Sequence, residues 1–329
     1  MQRPLLVLLL SSFALGSMAQ SESALWMSAD ASLDLSRRWG ADVELGTRIG
    51  DNWSQPMRYD AGFGFDYKAL KWLKVGAGYI CIRDYHPGET EVLYKTNDDG
   101  TPRLDSDGNR VVKGVNADDA YWRNKQRLYF DLTEKWKLGR FEFSLRERYQ
   151  FTRSLPTDVF ERKYREEYAA DEMDMAHYDP SLWYGPVPNV NELDPTLSGQ
   201  DLYYYELDAD KTGLDAKSGK SKHNFRTRLT IDYNIRRCPI TPFVSYEIAN
   251  NLCDRFSIVR HRAQAGIDWN LTKSKQHALS IAYLYQHGAE DEAGRNDLHV
   301  LSVGYKFRFE TAKAKAQKAA AKKKKKAKP

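Results

Sequence analysis

The chain has 329 residues, 41% of them apolar, 29% charged and 12% aromatic, with 20 Tyr, 8 Trp and only 3 Cys. A mean hydropathy of −0.68, with no helix-length apolar stretch beyond the first twenty residues, excludes a helical membrane protein. Three cysteines, Cys81, Cys238 and Cys253, give no disulfide framework. The formal charge of +5 comes from the last twenty residues, which hold nine Lys and one Glu, so the body from Gln20 to Phe309 is mildly acidic at −4.

The chain opens with MQRPLLVLLLSSFALGSMAQ. Arg3, the apolar run Leu5 to Leu15 and the small-x-small site Ser17-Met18-Ala19 predict a signal peptide over residues 1–19, with the mature chain starting at Gln20. The run is too short for an anchoring helix and lacks a stop-transfer flank. No cysteine at the cleavage point marks a lipoprotein.

From residue 24 onward the apolar residues fall at every second position, the period of a β-strand with two unlike faces. In chain order the alternating segments are 24–36, 39–50, 57–68, 71–85, 119–134, 140–154, 222–236, 239–250, 257–272, 277–288 and 296–309. These eleven segments run to about 12 to 15 residues, whereas strands in soluble sheets average about 5 to 6. Crossing a bilayer takes about 9 to 11 residues. Length and alternation together predict a transmembrane antiparallel up-and-down β-barrel of about 10–12 strands over residues 20–309. One face meets lipid and the other lines the lumen, which also explains a hydropathy that reads as soluble.

The connections alternate between tight turns and longer loops, as in barrels with short periplasmic turns and long extracellular loops. Two loops are long, 86–118 and 155–221. Trp39, Tyr67, Trp72, Trp136, Tyr233 and Trp269 cluster beside the tight turns as a periplasmic girdle. Bacterial single-chain barrels normally have an even strand count. Eleven segments therefore predict either a missed strand, with 86–118 as its place, or a first segment outside the wall, and twelve is preferred over ten.

Several stretches resemble a family of bacterial outer-membrane proteins, the domain-of-unknown-function 2490 family. They are LWMSADASLDLSRRWGADVELGTRIG, YKALKWLKVGAGY, LRERYQF, FRTRLTIDY, PFVSYE and RHRAQAGIDW. The resemblance spans about residues 24 to 309. It implies an outer-membrane barrel in a Gram-negative cell and supplies no activity, cofactor or catalytic residue. The 155–221 insertion and the lysine tail depart from the family pattern.

Parity then assigns the lumen. Arg123, Arg127, Arg146, Arg148, Arg226, Arg228, Arg260 and Arg262 share the inward face in a repeated R-x-R pattern. Asp30, Asp34, Asp42, Glu44, Asp60, Asp66, Asp131, Glu142, Asp232, Asp268 and Glu247 face inward with them. Paired charges filling a narrow barrel are the structural reading, and a porin-like path for small anionic solutes is the functional one. Glu147 carries the lipid-facing parity between two of these arginines, which calls for a bulge, an interfacial depth or another register.

On the outward face His261, His287 and His299 fall on consecutive strands, with His223 nearby. Ser257 is the one outward serine near enough to act as a nucleophile. Side chains at headgroup level are the bland reading, and a metal centre or a lipid-modifying active site are the sharp ones. The 155–221 loop, with 15 acids against 6 bases, reads as a lid, a ligand-binding surface or a flexible insert. DADKTG at 208–213 and DSDGN at 105–109 are fragments of calcium loops without the closing glutamate. The tail 310–329 hangs on the periplasmic side, where like charges oppose its helical propensity and nine lysines attract polyanions.

No Gly-rich phosphate loop, C-x-x-C pair or H-E-x-x-H occurs. The expectation is thus an outer-membrane barrel with no enzymatic activity, no cofactor and no metal. Its partners would be membrane lipid and lipopolysaccharide, a periplasmic polyanion at the tail, and no nucleic acid. It would act structurally or bind a ligand through its extracellular loops, with a narrow anion channel and a lipid-modifying enzyme as alternatives.

Overall fold

The computed structural model describes residues 22–50, 52–104, 108, 110–188, 202–288 and 297–326. The expected signal segment and most of the 105–109 stretch lie outside the described residues. The elements are β1 (Glu22–Asp34), β2 (Trp39–Gly50), β3 (Gln55–Lys68), β4 (Leu73–His86), β5 (Thr90–Tyr94), β6 (Val112–Asp118), β7 (Tyr121–Leu138), β8 (Phe141–Ser154), β9 (Thr157–Ala169), β10 (Trp183–Pro188), β11 (Leu202–Leu207), β12 (Gly213–Lys217), β13 (Ser221–Tyr233), β14 (Ile240–Asn251), β15 (Ser257–Asn270), β16 (His277–His287), β17 (Asp297–Glu310) and a terminal helix α1 (Ala312–Lys326). They form two units, one from residues 1–85, 123–155 and 219–329 and the other from 86–122 and 156–218.

The first unit is a closed barrel in the order β1-β2-β3-β4-β7-β8-β13-β14-β15-β16-β17. It has eleven strands, and the expected even count does not hold. Consecutive strands are antiparallel, so an odd number leaves the first and last pointing the same way. The barrel closes through one parallel ladder, from Glu22 opposite Leu298 to Asp34 opposite Glu310. A parallel ladder makes as many hydrogen bonds per residue as an antiparallel one, only slanted, so closure does not require an even number. The extra strands sought in 86–118 exist as β5 and β6, but they belong to the other unit.

Alternation shapes the wall as expected. Val43, Leu45, Phe63, Phe65, Leu128, Phe130, Val244 and Tyr283 are large, apolar and exposed on its outer face. At the tight-turn rim Trp39, Trp72, Trp136 and Trp269 are 43–53% exposed, and Trp39 packs on Tyr67 with ring centroids 4.9 Å apart. The tight turns have local causes. Gly139, between β7 and β8, takes φ +59°, which glycine reaches without a Cβ penalty.

The described parts of the long connections are folded. Residues 86–122 and 156–218 together build a sheet in the order β10-β11-β9-β6-β5, with β12 also paired to β9. Its core is Val112, Val115, Tyr164, Val187 and Tyr205, with Val115 and Tyr205 fully buried. Lys217 bridges Asp118 (2.9 Å) and Asp215 (3.0 Å), and the bond to Asp118 leads in raising its ammonium above the ordinary lysine range. The DADKTG stretch is the turn between β11 and β12, where Asp208 accepts from the Lys211 backbone at 3.2 Å and pairs with its ammonium at 2.6 Å.

The lysine tail is helical from Ala312 to Lys326. Thr311 caps it by accepting from the Ala314 backbone at 3.1 Å. Lys318 bonds Asp34 (2.5 Å) and Glu310 (2.7 Å), and Gln317 accepts from the Arg37 backbone at 2.9 Å. These contacts with the β1–β2 turn fix the first half of the helix against the tight-turn rim, where isolated like charges would otherwise favour disorder.

Candidate functional site

Register places the lumen arginines around one acid. Arg228 on β13 stands opposite Glu247 on β14 and Arg146 on β8, and Glu247 stands opposite Arg262 on β15. All four side chains point inward and converge. The Arg226 guanidinium lies 2.6 and 2.7 Å from the two carboxylate oxygens of Glu247. Arg228 Nε donates to the same carboxylate at 2.7 Å. Arg262 and Arg146 follow at 3.5 and 3.8 Å. Glu247 is only 2% exposed. One buried carboxylate therefore holds four guanidiniums on three strands, each pairing strengthened by charge.

The remaining predicted arginines are placed individually. Arg148 makes a two-pronged bond to Asp131 (2.5 and 2.6 Å) and lies 4.0 Å over the Tyr129 ring. Tyr129 in turn lies against Gly64 and Gly78, where any Cβ would collide with its hydroxyl. Arg127 donates to Thr152 Oγ1 at 2.9 Å, and Arg123 donates to the Leu155 carbonyl at 3.0 Å. Arg260 has a buried Nε with no hydrogen-bond partner among the described residues. The eight therefore do not act as one ring, and Arg123 in particular is engaged away from the Glu247 hub.

Between these groups lies a cavity of about 280 Å³, lined from ten of the eleven barrel strands. Its wall includes Arg127, Arg146, Arg148, Arg226, Arg228 and Arg262 of the predicted set, together with Arg48, Trp26, Gln150, Gln264, Glu44 and Asp60. Arg48 and Trp26 escaped the sequence reading. Arg48 shares parity with Glu44, so the signal was present, but it stands alone without an R-x-R partner. Trp26 shares the inward parity of Asp30 and Asp34, but a ring among charged residues was not singled out. Arg48 rests 4.1 Å and Arg262 5.0 Å from the Trp26 ring centre, a cation–π arrangement. Arg58 and Lys125 (2.9 Å) share Asp84 in a further buried group.

Glu147 keeps the outward parity. The β8 register runs unbroken against both β7 and β13, with Glu147 between Leu132 and Thr227, so no bulge accounts for it.

The histidines do not form one centre. His261 stands opposite His287 in the ladder, but its Nδ1 is bonded to Tyr246 Oη at 2.8 Å. His287 pairs with Asp297 at 2.5 Å, and His299 bonds Tyr283. A repeated geometry underlies this. Tyr149–His223, Tyr246–His261, Tyr283–His299 and Tyr305–His277 are each bonded on one diagonal, the histidine two residues before the position opposite the tyrosine. Diagonal neighbours on one sheet face are within reach of aromatic side chains. Ser257 Oγ bonds Asp254 at 3.0 Å. Among the described residues no group of three or more His, Cys, Asp or Glu is placed to hold a metal, and all three cysteines are free.

The fold and its interior define a closed β-barrel with a charged, arginine-rich lumen. The chain belongs to the family described as protein of unknown function (DUF2490), whose model matches residues 23–297. Among solved structures it is similar to the β domain of the Bordetella autotransporter BrkA, at 12% identity and a TM-score of 0.33 over 81% of this chain and 79% of that one. No curated protein matches it.

Proposed function

We propose that the protein is an integral barrel of a Gram-negative outer membrane that presents a folded, acidic module to the cell exterior and works by binding rather than by catalysis. The observation that carries this reading is the second sheet. Residues 86–122 and 156–218 have their own buried core and hold 23 acids against 9 bases. A flexible surface loop has no need of such a core, whereas a binding surface requires a rigid frame. The charge suits a cationic partner.

The membrane assignment is supported by the exposed apolar belt. Large apolar side chains exposed on strand after strand mark a surface that meets something other than water, and the tryptophans of the tight-turn rim match an interfacial girdle of membrane barrels. The Tyr–His pairs of His223, His261 and His299 then sit at headgroup level on the long-connection side, beside lipopolysaccharide, and the His277 pair sits at the opposite, tight-turn rim. The tight-turn rim is periplasmic, where the helix starting at Ala312 offers lysines to a polyanion. The cross-linked lumen, with Glu247 and Asp131 tying arginines together, supports binding over an open anion channel. The tyrosine bonds of the histidines support it over lipid chemistry.

Native cysteines provide the topology test. A Cys81→Ser/Cys238→Ser variant keeps Cys253 beyond β14, on the long-connection rim, and a Cys81→Ser/Cys253→Ser variant keeps Cys238 in a tight turn. A membrane-impermeant maleimide should label Cys253 in intact cells and Cys238 only after permeabilisation. The reverse pattern overturns the orientation. Polylysine should bind the purified protein in a salt-sensitive manner through residues 156–218. Binding that is insensitive to salt, or absent, overturns the acidic-module reading.

A further inference from the structure

The lumen cavity carries a charge imbalance that its own residues do not correct. Seven arginines line it against two lining carboxylates, Glu44 and Asp60, while Asp131 and Glu247 bond lining arginines from outside its wall. Guanidinium groups stay charged at any accessible pH, so deprotonation cannot relieve their repulsion. Buried charge without a counter-charge is costly.

Three arginines stand out. Arg48 rests on Trp26, Arg127 is bonded to a threonine, and Arg260 has a buried Nε without an acceptor. Among the described residues none of the three forms an ion pair. The Gln150 amide nitrogen, also in the cavity wall, is likewise buried without an acceptor. The cation–π contacts orient Arg48 and Arg262 without neutralising them. The site thus holds preplaced donors, surplus positive charge, and a volume equal to roughly nine waters.

We propose that this cavity is a binding site for a small soluble polyanion, a solute bearing a phosphate group or at least two carboxylates. Several oxygens on one ligand would satisfy donors on opposite walls together, as a lone chloride cannot. Planar guanidinium forks match the oxygen geometry of phosphate and carboxylate. The site is in the barrel interior and is independent of the acidic module, so the cysteine labelling and polylysine results stand or fall separately.

The test uses the full chain refolded in detergent. Pyrophosphate and citrate are titrated at constant ionic strength, balanced with sodium chloride, while the thermal midpoint and tryptophan emission are followed. A ligand that binds only the folded state raises the midpoint with the logarithm of its concentration. Pyrophosphate or citrate should do so where chloride does not, and Trp26→Phe should remove the emission change but not the stabilisation. In Arg48→Gln/Arg127→Gln no ion pair among the described residues is broken and repulsion within the arginine cluster falls, so the ligand-free barrel should be at least as stable as the natural one. Its apparent affinity should fall by roughly tenfold or more, the scale of one lost charge-assisted bond. Equal stabilisation by chloride, or an undiminished response in the double variant, overturns the proposal. If the double variant fails to fold, the comparison of polyanion with chloride on the natural chain still decides it.

Discussion

Replacing Glu247 by Gln tests what holds the lumen together. The side chain is 2% exposed, and its carboxylate makes close contacts with Arg226 (2.6 Å) and Arg228 (2.6 Å) and longer ones with Arg262 (3.5 Å) and Arg146 (3.8 Å). The amide preserves volume and one acceptor but removes the charge, leaving four guanidiniums with no common counter-ion. Removing one partner of a buried ion pair costs about 3–5 kcal/mol, which is roughly two to four powers of ten in the folding equilibrium. Arg228→Gln is the control. It leaves Glu247 with three arginines and should cost about 1 kcal/mol, the net worth of a typical hydrogen bond. Both are measured by reversible denaturant unfolding from lipid vesicles, followed by tryptophan emission. A Glu247→Gln barrel within about 1 kcal/mol of the natural protein would refute the reasoning. The guanidiniums would then be solvated well enough to need no hub.

Three further outcomes follow from particular contacts. If the outer face meets lipid, as proposed, Glu147→Leu should stabilise the vesicle-embedded barrel by about 1 kcal/mol, because a carboxylate on a lipid face carries a cost smaller than that of Lys or Arg; destabilisation would reveal a partner for it. Gly78→Ala should cost about 1–3 kcal/mol by overpacking, since the new methyl would lie 2.6 Å from the Phe63 carbonyl oxygen and press on Tyr129 beneath Arg148; an unchanged unfolding curve would count against that packing. Burial acts to lower the Lys318 ammonium, but bonds to Asp34 and Glu310 outweigh it and hold it raised. A raised folded value contributes stability below the free lysine value of about 10.4 that is lost as pH climbs through the folded one. Helix α1 should therefore stay docked at neutral pH and become sensitive to protease above about pH 10.5, and early cleavage at neutral pH would contradict the latch.

The wall was largely legible because period two is a local signal. Residues 222–233, KHNFRTRLTIDY, already separate Arg226 and Arg228 from Phe225, Leu229 and Ile231, and β13 presents them on those two faces. The arginine hub was legible only in part. Parity places Glu247 in the lumen, but choosing Arg226, Arg228, Arg262 and Arg146 as its partners needs the register of three separate ladders. The partners of the histidines were hidden for a related reason. Consecutive strands bring His261, His287 and His299 to one region, while the bonds are made diagonally to tyrosines. The second sheet was out of reach for a stronger reason. Its central ladder joins Val115–Asp118 to Glu161–Tyr164, segments separated by the β7–β8 hairpin, so no local period ties them.

Charge shows how much such long-range pairing conceals. The body from Gln20 to Phe309 sums to −4, which reads as unremarkable. Sorted by unit, the barrel residues hold 31 bases against 21 acids, and the second unit holds 9 bases against 23 acids. Neither sign is accidental to its place. Around the proposed cavity, where seven arginines line the wall, the local charge favours anions, whereas an acidic surface in water repels them and attracts cations. If both proposals hold, a solute rich in phosphate or carboxylate is favoured at the cavity and disfavoured at the module. Raising ionic strength should weaken polylysine binding steeply, since a cationic polymer meets the module at its water-facing surface, where charges are screened. It should weaken polyanion binding in the lumen far less, because buried pairs are screened much less than exposed ones.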